Sequence, residues 1–133
     1  MEYSYLWLLG RIILGGYFIM SGYAHFKNLA SYTGYAQSKG VPMAKASVII
    51  TGLMMLLGGL GILIGVYVQF SIFLLALFLL GTLVKMHTYW KETDPMARMG
   101  ERVNFYKNLA LIGALLMITP YVTPLGDMIM SLF

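Results

Sequence analysis

Long apolar runs separated by short polar stretches set the pattern of the chain. Four runs stand out, at about 5–24, 44–66, 70–87 and 105–121. A run of about 20 apolar residues is the length at which a helix crosses the hydrocarbon core of a bilayer. Lipid satisfies no backbone polar groups, so each run must close its own hydrogen bonds as a helix. The pattern therefore predicts an all-α, integral membrane four-helix bundle, a single transmembrane domain over residues 1–133. Pro42 and Lys45 bound the second span, and "YVQ" leaves room only for a turn between the second and third, which form a hairpin. The fourth span is the shortest, and Thr119-Pro120 is its stop signal.

The other two connections are longer. Residues 27–43, "KNLASYTGYAQSKGVPM", repeat Leu29, Tyr32, Tyr35 and Ala36 at helical spacing. Asn28 is a start signal and Gly40 ahead of Val41-Pro42 an end signal. This predicts a short interfacial helix between spans one and two. Residues 88–104, "TYWKETDPMARMGERVN", hold most of the charge and read as a connection anchored at the interface by Trp90.

Within the spans, small and polar positions pick out the inward faces. Arg11, Gly15, Phe18, Gly22 and His25 fall on one stripe of the first span, spaced four, three, four and three apart. On the second, Gly58, Gly61 and Gly65 join Ser47 and Thr51 in a comparable stripe. Glycines on a membrane helix admit a neighbour closely, so these are packing positions.

Composition strengthens the membrane reading. The chain is 59% hydrophobic and 11% charged, against about 25% charged in soluble domains. A small domain has too little interior to hide so much apolar surface. There is no cysteine, which excludes a dithiol relay and thiolate-ligated clusters. Glu2 stands where a leader peptide has a basic region, so no cleaved leader is expected. Nothing points to nucleic acid. Lys27, Lys39, Lys45, Lys85, Lys91, Arg98, Arg102 and Lys107 lie in or beside the two long connections, and Arg11 alone lies on the other side. Positive residues stay cytoplasmic. Both termini are therefore expected outside, with the long basic loops inside the cell (plasma or inner) membrane.

The candidate chemistry is sparse. An arginine deep in a span costs about 2.5–3.5 kcal/mol on insertion scales. The plainest account of Arg11 is an anchor bonded to lipid phosphate or to a carbonyl freed near Pro120. Asp127 is its best protein partner on that side, and an anionic or quinone-type head group the alternative. His25 and His87 end spans one and three at similar depth. Two such histidines resemble axial haem ligands, but a bare pair is a weak signal, and hydrated interfacial histidines explain it more simply. Lys107 and Asn108 open the fourth span at that depth, so His25, His87, Lys107 and Asn108 form a candidate ligand-binding cluster; a set of ordinary boundary residues is the competing account. No metal site is expected. No span carries a carboxylate, which disfavours proton-coupled transport, and no catalytic motif is found.

Taken in order, Arg11 with Gly15, Phe18 and Gly22, "GVP" at 40–42, "GGLGILIG" at 58–65, His87, and "KNL" at 107–109 resemble the DoxX family of small four-span membrane proteins. The likeness runs from about Gly10 to Ile118. It implies a four-helix membrane fold and an association with quinone-linked membrane oxidoreductases, while distant relatives act as assembly chaperones. Two positions depart from the family: Met55 stands where a glutamate is often found, and His25 where a basic residue often ends span one. The expected function is an auxiliary subunit of a quinone-linked redox system, an accessory subunit rather than a self-sufficient enzyme. A non-enzymatic membrane scaffold or assembly factor is the alternative.

Overall fold

A computed structural model of the protein describes residues 4–121. These form five α-helices: α1 (Ser4–Lys27), α2 (Leu29–Ser38), α3 (Ala44–Ile64), α4 (Val68–Lys85) and α5 (Pro95–Ile118). Short 3-10 turns cover Tyr89–Lys91 and Thr119–Tyr121. Among the described residues, three helices are long and apolar enough to cross a membrane: α1, α3 and α4.

The short helix between the first two spans is α2. Its end follows from Gly40, whose φ of 75° suits a residue without Cβ. The Val41 amide then reaches back to the Ala36 carbonyl, and the Gly40 amide to that of Gln37, which satisfies two orphan acceptors of the last turn. Asn28 holds the N-cap position but makes no side-chain capping bond.

The fourth helix departs from the sequence pattern. α5 starts at Pro95, not near 105. Asp94 takes an extended conformation and its carboxylate accepts a 2.9 Å bond from the Ala97 amide. Pro95 follows at the first helical position, where its missing N–H is no loss. The helix therefore runs through the charged stretch Arg98–Arg102, and that polar half keeps α5 out of the class of long apolar helices.

The helices lie in the order α1, α3, α4, α5, with α2 resting on α3. Between α1 and α3 the approach is backbone to backbone. A Cβ on Gly15 would fall 2.8 Å from the Gly59 carbonyl oxygen, and one on Gly59 equally close to that of Gly15. Gly22 meets the Gly52 carbonyl in the same way one heptad further on. Such proximity maximises dispersion contact, the main attraction left between helices in lipid. On the other side of α3, Gly58 receives Leu75 and Gly61 receives the Ser71 hydroxyl, both from α4. Phe18, Met55, Ile62, Leu75, Leu79 and Leu115 are buried at the centre, where all four long helices meet.

Candidate functional site

Polar side chains gather at both ends of this apolar core. At the first end, Gly65 turns the chain with φ 76° between α3 and α4. The amides of Gly65 and Val66 both return to the Gly61 carbonyl. The next two carbonyls of α3 are taken by Arg11: its Nε donates to Ile62 O at 3.1 Å and an Nη to Leu63 O at 2.9 Å. The guanidinium thus caps α3 from a neighbouring helix, where a cation also complements the helix dipole. The freed carbonyls lie at the end of α3, not near Pro120, and Asp127 lies outside the described residues. Arg11 is buried, 5% exposed. Its second Nη nitrogen is fully buried with no partner among the described residues. Beside it opens a cavity of about 250 Å³ walled by Leu6, Trp7, Gly10, Leu14, Ile62, Val68 and Ile118 along with Arg11 itself.

At the second end the sequence-predicted cluster separates into different partnerships. The His25 Nδ1–H donates to the Ser21 carbonyl at 2.9 Å. Its ring stacks on Tyr32 at 4.6 Å and meets Phe78 edge-on. His87 instead donates from Nδ1 to the Glu101 carboxylate at 2.7 Å. Asn108 is buried and donates to the Thr82 hydroxyl at 3.0 Å, which donates to the Leu79 carbonyl. Lys107 is exposed.

The residue that organises this end, Glu101, was not among the sequence candidates. It is buried, 8% exposed, and its carboxylate also accepts from the Tyr35 hydroxyl and pairs with Lys39 at 3.5 Å. Lys39 is paired with Glu92 as well. The network ties α2, the segment after α4, and α5 together. Burial disfavours the Glu101 carboxylate, but Tyr35, His87 and Lys39 outweigh it and hold its pKa below the ordinary value. Burial and the adjacent carboxylate push the Tyr35 phenol up. For Lys39, burial is outweighed by Glu92 and Glu101, which raise it. Two signals mark Glu101 in retrospect. Asp94-Pro95 is a helix start, and Glu101, Asn108 and Leu115 repeat every seven residues as the buried seam of α5. Met55 is 3% exposed within the apolar core, so no polar group stands there.

The DoxX family model matches residues 6–88, more than half of the chain. The chain belongs to the DoxX family. The match takes in α1 to α4 of this DoxX protein, with Arg11, His25 and His87. It stops short of α5, so Glu101, Lys107 and Asn108 lie beyond it, and "KNL" at 107–109 does not belong to the matched stretch. No curated protein and no solved structure matches the chain.

Proposed function

We propose that this DoxX-family protein is an auxiliary subunit of a quinone-linked membrane redox system, and that the cavity at Arg11 receives a quinone head group. The observation that carries the reading is the buried Nη of Arg11, without a partner among the described residues, beside an apolar cavity. About 250 Å³ falls just below the roughly 300–1,000 Å³ of pockets that enclose a whole drug-sized ligand. That suits one ring with its tail left in lipid. The walls supply apolar contact and Arg11 a single oriented donor, held in place by the Ile62 and Leu63 carbonyls. A quinone, once bound, supplies two-electron, two-proton chemistry; the chain contributes binding and orientation. His25 and His87 take no part in this reading; each is engaged at Nδ1 with its own partner. In this reading α5 crosses the bilayer with its C-terminal half, both termini face outward, and the basic connections are cytoplasmic.

Trp7 lines the cavity and reports on it. In a Trp90→Phe background, a short-tailed quinone should quench Trp7 saturably. Gly10→Leu, whose side chain enters open space beside the cavity, should abolish saturation without unfolding the protein. Quenching that stays linear in quinone concentration would overturn the proposal. The scaffold reading draws on Gly16 and Gly81, each with open space where a Cβ would lie, so that another helix can approach there. Loss of a co-purifying membrane partner in Gly81→Leu, with Trp7 unquenched by quinone, would favour it.

A further inference from the structure

The first half of α5 is inverted relative to a water-soluble amphipathic helix. Its carboxylate, Glu101, points inward and is buried. Met96, Met99, Val103 and Tyr106 are all exposed. At about 100° per residue, these four fall on the arc opposite Glu101 and Asn108. Apolar side chains turned outward over three turns indicate that the medium at this face is not water.

The charges are sorted in the same sense. Every acidic side chain of the segment is engaged within the protein: Glu92 with Lys39, Asp94 with the Ala97 amide, and Glu101 with His87, Tyr35 and Lys39. The basic ones, Lys91, Arg98, Arg102 and Lys107, are exposed. Arg102 lies over the Tyr106 ring, 6.0 Å from its centre. Exposed Trp90 packs edge-on against Phe105 beside it. The outward surface is thus apolar at its centre, aromatic at one edge and cationic at its flanks. Apolar side chains entering the acyl boundary while arginines and lysines reach the phosphates is the signature of an interfacial helix on an anionic surface.

We propose that the segment from Trp90 to Lys107 is a binding surface for anionic phospholipid head groups, with Arg98 and Arg102 as the phosphate-binding side chains. The occupant is the lipid surface itself. The proposal is independent of any ligand at Arg11, which lies at the other end of the helices.

The chain has two tryptophans, so Trp7→Phe leaves Trp90 as the sole reporter. The Trp7→Phe protein is reconstituted in phosphatidylcholine vesicles containing a fixed fraction of brominated phosphatidylglycerol or brominated phosphatidylcholine. Brominated phosphatidylglycerol should be enriched at Trp90, by roughly fivefold for each contributing basic side chain. The enrichment should fall in 0.5 M salt, which shortens the screening length to a few ångströms. Arg98→Gln with Arg102→Gln should remove most of it, while Arg98→Lys with Arg102→Lys should retain it and so separate lost charge from lost folding. Equal quenching by the two lipids, or a preference unchanged in the glutamine pair, would overturn the proposal.

Discussion

Arg11→Met removes the group that caps α3, and the structure gives the competing terms. Two hydrogen bonds from a charged donor are lost, at Ile62 O and Leu63 O, each worth about 1.5–3 kcal/mol. Against this, the variant no longer carries a cation into lipid, a relief of about 2.5–3.5 kcal/mol. The bonds win by a small margin. The expected net loss is about 1–2 kcal/mol, a five- to thirtyfold shift in the folding equilibrium by the usual conversion of 1.4 kcal/mol per decade. Arg11→Lys supplies the discriminating control. Lysine keeps the charge and its insertion penalty but loses the planar fork that reaches two carbonyls together, so it should be no milder than methionine. If Arg11 were merely an anchor to lipid phosphate, lysine would serve and the order would reverse. The assay is the equilibrium between the folded, inserted protein in lipid vesicles and the urea-unfolded chain in water, in which the insertion cost is counted, with amide exchange read at the end of α3. Protection at Gly65 and Val66, whose amides hold the Gly61 carbonyl, should drop in both variants. Wild-type stability for Arg11→Met together with a neutral Arg11→Lys would refute the capping argument.

The Glu101 network sets a pH window. Its carboxylate titrates below its ordinary 4.5, so its contribution to stability is complete above about pH 4.5 and is lost as pH falls through the lower, folded value. Tyr35 is raised above 10.0 and Lys39 above 10.5. Each contributes fully below those values, and stability declines as pH rises past them. Unfolding followed from pH 3 to 11 should show a plateau with both edges, and Glu101→Gln should lower the plateau and flatten the acid edge; an unchanged acid edge would refute the assignment. On the reading that α5 enters the bilayer beside α4, Asn108 and Thr82 should couple by about 0.6 kcal/mol and at most about 1.7, as interhelical hydrogen bonds in lipid do. A double-mutant cycle with Asn108→Leu and Thr82→Val measures it, and zero coupling would remove Asn108 from the α4–α5 contact.

The spans α1, α3 and α4 are visible in sequence because lipid imposes length and apolarity together, a constraint that needs no knowledge of neighbours. The helix α2 is visible from the spacing of Leu29, Tyr32 and Ala36 and from Gly40. The start of α5 is hidden by Arg98, Glu101 and Arg102, since hydropathy averages over charges that point in different directions. A capping signal at Asp94-Pro95 competes with that average and prevails locally. Arg11 stands out in sequence as a costly residue, but its acceptors do not, because backbone carbonyls carry no sequence label. Glu101 is hidden for the opposite reason: a carboxylate in a polar stretch looks hydrated until the fold places Tyr35, Lys39 and His87 around it.

The bond between α1 and the end of α3 also has an order in time. Arg11 and its first acceptor, Ile62, are 51 positions apart in the chain. Translation at about 5–20 residues per second separates their arrival by roughly 3–10 s. During that interval α1 already carries its guanidinium, while the carbonyls that will receive it have not been made. The newborn helix is therefore at its least membrane-stable before its partner exists. Its guanidinium finds its acceptors only once the end of α3, with Ile62 and Leu63, has been made.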